Sequence, residues 1–285
     1  MIINFTKATA SGNDFVMIDS RQGKFDFNYS LFVQIACNRR FGIGADGVIF
    51  VETDSETDFL MRYFNADGSE GSLCGNGARS TAKFMSNKLQ KQSVRFKAVG
   101  KVYSAEIFDE SVKLYLPDLT KNISDYNFPV DGNNIHAFFI DTGSPHIIVF
   151  EKDFPYDAEL ENLNVFDLGR KIRYHELLSP AGANINFVKK IDNATIRIRT
   201  YERGVEDETL ACGTGSIASA LLSSEFSAVT NPVNVLTQGG DKFVVDFKLQ
   251  NGTYKNLSLE GVAVMVFDGE FCYDINKNTI RTAGN

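Results

Sequence analysis

The sequence has few of the residues that mark disulfide-rich and metal-binding proteins. Its 285 residues include only four cysteines, none of them at C-x-x-C spacing, and three histidines. A disulfide framework and a structural zinc site are therefore poorly supported. We expect no metal site.

Long apolar runs and an excess of basic residues are also lacking. No stretch approaches the roughly 18 apolar residues that indicate a membrane span. The first ten residues lack the basic start and apolar core of a signal peptide. Lysine and arginine number 29 against 36 acidic residues, a net charge of −7, which argues against a nucleic-acid or anionic-membrane partner. We expect a cytoplasmic protein that binds neither.

The chain contains an internal repeat. Hydrophobic residues make up 43% and charged residues 23% of the sequence, a balance typical of globular domains. Three pairs of residues lie 138 positions apart: Cys74 and Cys212, Tyr63 and Tyr201, and Gly44 and Gly182. In each half, Tyr ends a strand, an acidic polar loop follows, and Cys-Gly-x-Gly opens a helix. We infer two similar domains, each with one cysteine at a helix start.

Strands and helices alternate in both halves, which indicates an α/β fold. We predict an irregular polar stretch over Thr120–Asn134, after the break at Pro117, and a helix within Asp153–Arg170. The predicted domains are residues 1–118 with a returning tail from about 264 to 285, and residues 119–263.

A cysteine at a helix start is well placed for acid–base chemistry. The positive end of the helix dipole lowers a thiol pKa from its usual value of about 8.5 and favours the thiolate. Unpaired backbone N–H groups at the same place bind anions such as carboxylates, and glycine allows close approach. Each Cys-Gly-x-Gly motif therefore combines a reactive thiol with a carboxylate site.

Two such thiols suit a racemase that uses two bases. One thiolate would remove the proton from the Cα of an amino acid, and the opposite thiol would supply a proton to the other face. Helix N-termini would stabilise the charge that spreads onto the carboxylate. This chemistry requires no cofactor. Gly42-Ile43-Gly44 precedes a strand, which is the wrong order for a dinucleotide-binding loop, so we expect no cofactor.

The same residues resemble the diaminopimelate epimerase family, cofactor-independent enzymes of lysine and peptidoglycan biosynthesis. The resemblance covers almost the whole chain. It rests on Ser11-Gly12-Asn13-Asp14-Phe15, Gly42–Gly47, Tyr63–Arg79, Gly143–His146, Asn184–Phe187, Glu202–Gly215 and Glu260–Glu270. It implies two pseudo-repeat domains, each a curved mixed β-sheet around a central helix, with the active site in the cleft between them. It also implies a homodimer, with Phe267 near the dimer contact.

The resemblance implies a role for each matching residue. Cys74 and Cys212 would be the acid–base pair, with His146 and Glu202 tuning their pKa values. The substrate, LL-2,6-diaminopimelate, would be bound by Asn13, Asn65, Asn184, Glu202 and Arg203, and by backbone N–H groups of Gly75, Asn76, Gly213 and Thr214.

Two departures from the family pattern affect the expected site. Ser144 stands where family members commonly have Asn, so its contact with substrate would be weaker or through water. The loop from Glu202 to Cys212 is one residue longer than usual, and its acidic residues Glu206–Glu208 are expected to form a solvated loop.

Other interpretations compete with this one. Asn13 could simply hold a turn, and Glu202 with Arg203 could be a surface ion pair. A racemase of the proline or hydroxyproline type would share the two cysteines. A binding protein could instead use them as a redox switch, if their Cα atoms lie about 4.4–6.8 Å apart. Cys37 and Cys272 are expected to be structural.

Overall fold

The computed structural model describes residues 1–23 and 25–281. The chain divides into two compact units. Unit 1 is Met1–Tyr115 together with the chain from Gly261 onward, and unit 2 is Leu116–Glu260. The sequence placed the divisions at 118/119 and 263/264.

The first part of unit 1 contains seven strands and two helices. In chain order these are β1 (Ile2–Ala10), β2 (Asn13–Asp19), α1 (Tyr29–Cys37), β3 (Gly47–Glu52), β4 (Phe59–Asn65), α2 (Gly75–Leu89), β5 (Ser93–Ala98), β6 (Lys101–Ile107) and β7 (Ser111–Tyr115).

Unit 2 follows with β8 (Leu119–Thr120), β9 (Ile123–Val130), β10 (Asn133–Asp141), β11 (Pro145–Phe150), α3 (Val165–Arg173), β12 (Asn184–Lys190), β13 (Thr195–Glu202), β14 (Asp207–Thr209), α4 (Gly213–Phe226), β15 (Val233–Leu236), β16 (Lys242–Gln250) and β17 (Thr253–Val262). Short 3₁₀ helices cover Glu151–Asp153, Pro155–Asp157, Leu160–Asn162 and Glu176–Leu178.

The chain then returns to unit 1. β18 (Val264–Asp274) pairs antiparallel with β1, and β19 (Thr279–Arg281) pairs antiparallel with β18. The stretch Leu257–Val266 is divided between the end of β17 and the start of β18.

Both units repeat one pattern of strand pairing. In unit 1, β1/β2 is antiparallel, β2/β3 parallel, β3/β4 antiparallel, β4/β5 parallel and β5/β6/β7 antiparallel. In unit 2, β10/β11, β11/β12, β12/β13, β13/β15 and β15/β16/β17 follow the same sequence of directions. The predicted fold, two mixed α/β pseudo-repeats, is confirmed.

Each sheet curves around one helix. Helix α2 contacts all seven strands from β1 to β7. Seven strands at their usual spacing cover about 29 Å, whereas the 15 residues of α2 make a helix about 22 Å long and about 10 Å wide. A flat sheet could not touch α2 with every strand, so the sheet of unit 1 wraps around it. Helix α4 likewise contacts β10, β11, β12, β13, β15 and β16 of unit 2.

The opposite face of each sheet carries a shorter helix, α1 in unit 1 and α3 in unit 2. Asn28 caps α1 by accepting a hydrogen bond from the Leu31 N–H at 3.1 Å, and Asn164 caps α3 through the Asp167 N–H at 3.1 Å. Apolar side chains therefore fill both sides of both sheets.

One prediction about an element is wrong, and another is right about the element but not about its bounds. Thr120–Asn134 is not irregular, because β9 and the start of β10 form a hairpin in which Phe128 and Val130 are buried. Pro129 fits within β9 because, in the part of the chain that the structure describes, β9 pairs with β10 alone. The helix expected within Asp153–Arg170 begins only at Val165 and extends to Arg173, after a series of 3₁₀ turns.

Among residues 1–23 and 25–281, no helix is long and apolar enough to cross a membrane.

Candidate active site

Each of the two repeated cysteines begins the central helix of its unit. Cys74 is the N-cap of α2, with φ −91° and ψ 116°, and its Sγ accepts a hydrogen bond from the Gly77 N–H at 3.4 Å. Cys212 is the N-cap of α4, with φ −119° and ψ 112°, and its Sγ accepts from the Gly215 N–H at 3.4 Å. The predicted helix starts are confirmed, and the two local geometries match.

The first glycine of each motif borders open space. A Cβ atom added to Gly75 or to Gly213 would meet no atom within 4 Å. The N–H groups of the first helical turn have no partner within the helix. Each helix start can therefore receive a small anion next to the sulfur.

The second glycine of each motif packs on the sheet beneath it. A Cβ on Gly77 would lie 3.0 Å from Ile49 Cδ1, and a Cβ on Gly215 would lie 2.3 Å from Asn186 Oδ1. The two helix starts therefore rest on different surfaces, apolar under α2 and polar under α4.

The residues beneath the two helix starts show that the sequence repeat paired the wrong residues of β4 and β13. Tyr63 packs with the core beneath α2, whereas Tyr201 packs with the core beneath α3. Pairing Tyr63 with Tyr201 is therefore wrong, because a shift of one residue moves a side chain to the other face of a sheet. The structurally matching residues Ile49 and Asn186 lie 137 positions apart. The strands that precede the loop of unit 2 therefore follow a spacing of 137, and the helices that follow it have a spacing of 138 because this loop is one residue longer.

Asn13 and Asn76 hold each other beside α2. Asn76 Nδ2 donates to Asn13 Oδ1 at 2.7 Å, and Arg79 donates to Asn76 Oδ1 at 2.7 Å and to Ser11 Oγ at 3.1 Å. Asn76 is only 4% exposed. Its side chain is therefore part of the support of the helix start, and its backbone N–H is the group left to face a ligand.

A charged network supports Asn13 from the other side. Asn13 Nδ2 donates to Asp46 Oδ2 at 2.9 Å, and Arg39 pairs with Asp46 and Asp14, each at 2.7 Å. Lys7 also pairs with Asp14 at 2.7 Å. Burial alone would raise the pKa of Asp14, but the hydrogen bonds and positive charges of Arg39 and Lys7 outweigh it and lower the pKa to about 2.

Asn65 lies at the end of β4, where the loop toward Cys74 begins. Its Nδ2 donates to Ser69 Oγ at 3.1 Å. Arg62 closes the same loop through two bonds to Glu70, at 2.8 and 3.0 Å. Asn65 is thus held within the loop that leads to the first cysteine.

His146 lies on β11 and is completely buried. Its Nδ1 is 3.1 Å from Asn186 Nδ2. Burial, followed by the nearby positive charge of Arg203, lowers the pKa of His146 to about 3. The ring is therefore neutral near pH 7.

Asn184 orients the backbone of Arg203. Asn184 Oδ1 accepts from the Arg203 N–H at 2.9 Å, and its Nδ2 donates to the Pro145 carbonyl at 3.1 Å. Glu202 accepts a hydrogen bond from Thr209 Oγ1 at 2.9 Å. Burial raises the pKa of Glu202, against the smaller opposing effect of that hydrogen bond.

The turn before His146 contacts the start of α4. Thr142 Oγ1 donates to the Thr214 carbonyl at 3.1 Å, and Thr214 Oγ1 lies 3.6 Å from Cys212 Sγ. The strand register makes Ser144 of unit 2 the counterpart of Asn13 in unit 1. Within unit 2 the contacts at the start of α4 thus link Thr142, Thr214 and Cys212, and Asn186 joins His146 to the same helical turn.

A family model decides which of these interpretations applies. The model described as diaminopimelate epimerase matches residues 5–120 and 138–266. The chain belongs to the diaminopimelate epimerase family. Membership makes it an isomerase.

Members of the diaminopimelate epimerase family align with nearly the whole chain. A diaminopimelate epimerase of Aquifex aeolicus is 38% identical over 286 residues, which cover 96% of this chain and 99% of the relative. That of Chlorobaculum tepidum is 40% identical over 267 residues, covering 92% and 98%. In both comparisons the aligned residues extend over the two units.

Solved structures of other epimerases share the fold. A hydroxyproline epimerase from Agrobacterium vitis, solved with bound trans-4-hydroxy-L-proline, superposes with a TM-score of 0.63 at 13% identity, covering 94% of this chain and 92% of that one. Likeness at this identity supports the fold alone.

The acidic loop of this family member is not the solvated loop that we predicted. Asp207–Thr209 forms β14 against β13. Glu208 accepts two hydrogen bonds from Arg199, both at 2.7 Å, and Glu206 pairs with Arg173 at 3.2 Å. The longer loop is held by ion pairs rather than left to solvent.

Sequence reasoning missed the polar residues that support the site. Asn186 and Thr200 lie under the start of α4, and Arg79 and Asp46 support Asn76 and Asn13. A signal existed for Asn186. It follows Asn184 by two residues in a buried strand, so both side chains point to the same face.

Proposed function

We propose that the protein interconverts LL- and meso-2,6-diaminopimelate by moving a proton at one Cα, with Cys74 and Cys212 as the two bases. The observation that carries the proposal is the pair of matching thiol N-caps, each beside a glycine that borders open space. The match to relatives that carry this name supports the substrate.

The helix starts supply the electrostatic part of the reaction. The Cα–H of an amino acid is a very weak acid, and its removal places negative charge on the carboxylate. N–H groups of Gly75, Asn76, Gly213 and Thr214 would stabilise that charge from α2 and α4. Because the carboxylate accepts the electron density, the reaction proceeds without a cofactor.

The proton balance follows from two thiols in opposite states. One sulfur is a thiolate and forms an S–H bond with the proton that leaves Cα. The other sulfur gives up its S–H proton to the opposite face of the carbanion. After each turnover the two cysteines have exchanged protonation states. His146, as a neutral ring, and Glu202 would tune the two thiols.

The second amino-acid head of the substrate needs charged and amide partners. Arg203 can bind its carboxylate with two parallel hydrogen bonds, which are stronger than neutral ones. Asn184 holds the Arg203 backbone at 2.9 Å, so the residue is already oriented. Asn13 and Asn65 are the amide side chains of unit 1 that we assign to the substrate.

Replacing each cysteine tests the assignment. Cys74→Ser and Cys212→Ser should each reduce epimerisation of LL-diaminopimelate by more than about a hundredfold, because a hydroxyl is a much poorer acid and base near neutral pH. Both variants should fold, since Ser is nearly isosteric and caps helices well. Cys272→Ser serves as the matched control and should retain activity. Near-normal activity of either site variant would contradict the proposal.

We also propose a cytoplasmic homodimer. Val262, Val264, Val266 and Phe267 are 41%, 45%, 54% and 51% exposed, so one stretch of chain presents four large apolar side chains to solvent. Such a patch is typical of a contact surface. A second copy of the chain would cover it.

The dimer can be tested by sedimentation. Phe267→Glu should shift the protein from dimer to monomer, because a charge in the contact would be desolvated without a partner. Val102→Glu places the same charge on another exposed apolar residue of unit 1 and should leave the dimer intact. A monomeric wild type, or a dimeric Phe267→Glu variant, would contradict this assignment.

A further inference from the structure

Asn186 is a completely buried amide, the third residue of β12. Its Oδ1 accepts a hydrogen bond from Thr200 Oγ1 at 3.0 Å, and its Nδ2 donates to the Ile147 carbonyl at 3.1 Å. The same Nδ2 lies 3.1 Å from His146 Nδ1. Every polar atom of the amide is thus engaged.

These contacts fix which way the amide points. A backbone carbonyl can only accept a hydrogen bond, so the amide nitrogen has to face Ile147. The flipped amide would place two oxygens 3.1 Å apart. The amide nitrogen is therefore directed at the Ile147 carbonyl and at His146 Nδ1, both at 3.1 Å, and the Asn184 carbonyl is a more distant acceptor at 3.5 Å.

The orientation of the amide decides the state of the imidazole. A ring nitrogen that accepts a hydrogen bond carries no proton, so the proton of the neutral ring lies on Nε2. His146 Nε2 is buried and has no hydrogen-bond partner among residues 1–23 and 25–281. A buried N–H donor without a protein partner is costly, unless a ligand or a reacting group accepts from it.

The same amide also touches the start of α4. A Cβ on Gly215 would lie 2.3 Å from Asn186 Oδ1 and 3.2 Å from Cys212 Sγ. Asn186 therefore contacts both His146 and the helical turn that carries the thiol. Unit 1 has Ile49 at the corresponding position, so this arrangement is particular to unit 2.

We propose that Asn186 is a positioning residue that holds His146 as the Nε2–H tautomer and so presents a buried hydrogen-bond donor to the reacting groups. The inference rests on the proposed function for its catalytic consequence, but the tautomer itself is a property of the folded protein.

The tautomer can be read directly by nitrogen NMR on protein labelled with ¹⁵N-histidine. The chain has only three histidines, and His146→Asn identifies the relevant signals. At pH 7, wild type should show His146 with an unprotonated Nδ1 and a protonated Nε2. Asn186→Leu, which keeps the volume but removes the donor, should lose this fixed tautomer.

Kinetics give the second measurement. Asn186→Leu should lower kcat for LL-diaminopimelate by about a hundredfold, the size expected when a proton-transfer group is in the wrong tautomer or orientation. Its KM should change by less than about threefold, because Asn186 does not touch substrate. Thr200→Val leaves the amide in place but frees its oxygen, and should lower kcat in the same direction by a smaller factor. Ser223→Ala, another buried polar side chain of unit 2, should change neither kcat nor the His146 spectrum.

The outcomes separate this inference from the proposed function. A protonated Nδ1 in wild type would overturn it, as would an unchanged His146 spectrum in Asn186→Leu. If Asn186→Leu does not fold, the wild-type spectrum decides, because a protonated Nδ1 of His146 in wild type would by itself overturn the inference. A wild type that shows the Nε2–H tautomer but does not epimerise diaminopimelate would overturn the function and leave the tautomer assignment standing.

Discussion

Single residues of the candidate site have protonation states that differ from those of free amino acids. Burial lowers the pKa of His146 to about 3 and raises that of Glu202. Asp14 shifts the other way, because Arg39 and Lys7 outweigh its burial. Burial therefore disfavours the charged forms of His146 and Glu202 in unit 2, whereas unit 1 supports Asn13 with ion pairs.

We expect Asp14 to make the free energy of unfolding depend on pH in the acid range. Its folded pKa of about 2 lies below the ordinary value of 3.8, so it stabilises the fold above pH 4 and loses that effect as the pH falls from about 4 to 2. Asp14→Asn should lower the free energy of unfolding by about 1–2 kcal/mol at pH 7, after allowance for the exposed Arg39. Urea unfolding at pH 7, 5, 4 and 3 measures this difference, which should shrink at the lowest pH.

The control for this measurement is Asp109→Asn, at an exposed turn of unit 1. It should leave the stability nearly unchanged at every pH. A constant loss in Asp14→Asn from pH 7 to pH 3 would contradict the ionic role of Asp14.

At the scale of elements, the two glycines that open α4 have opposite requirements. Gly215 has no room for a side chain because Asn186 lies beneath it, whereas Gly213 borders open space. Gly215→Ala should therefore lower the free energy of unfolding by about 1–3 kcal/mol, the usual cost of overpacking. Gly213→Ala should stay within about 1 kcal/mol of wild type.

Substrate binding should also distinguish Gly213→Ala from Gly215→Ala. The methyl group of Gly213→Ala would project into the space assigned to the substrate carboxylate, so this variant should be stable but bind substrate weakly. A Gly213→Ala variant with wild-type KM would remove that helix start from the substrate site. Equal stabilities of the two variants would contradict the packing described for Gly215.

How well an element could be predicted depended on how local its causes are. The helices after Cys74 and Cys212 were predictable because caps and glycines act within one turn. The strand over Ile123–Val130 was not, since its order comes from pairing with β10 rather than from its own polar sequence. The faces of Tyr63 and Tyr201 are set by the register of whole sheets, and a sequence spacing could not supply that.

Among the site residues, position was easier to predict than environment. The sequence indicated where Cys74, His146 and Arg203 lie in their motifs. It did not indicate that Asn76 would use its side chain to hold Asn13, or that Asn186 would orient His146. Those contacts join strands and helices that are distant in sequence, so no local pattern reveals them.

At the scale of the whole molecule, two units with the same order of strand pairing each carry one thiol at the start of a central helix. Duplication accounts for two similar bases, and later divergence accounts for their different surroundings, Ile49 below one helix and Asn186 below the other. Two thiols with different neighbours are suited to a reaction in which one removes the Cα proton from one face and the other supplies a proton to the opposite face.

The measurement that tests the central claim most directly is the incubation of wild-type protein with LL-diaminopimelate in deuterated water, with the Cα deuterium of both stereoisomers followed early in the reaction. If Cys74 and Cys212 are separate bases, one sulfur takes the Cα proton and the other delivers deuterium. Deuterium should then appear first in the meso product, while the remaining LL substrate stays almost entirely protonated. A single base serving both faces would return the original proton to the product or label both pools alike. Equal early labelling of substrate and product, or a product without deuterium, would contradict the two-thiol account.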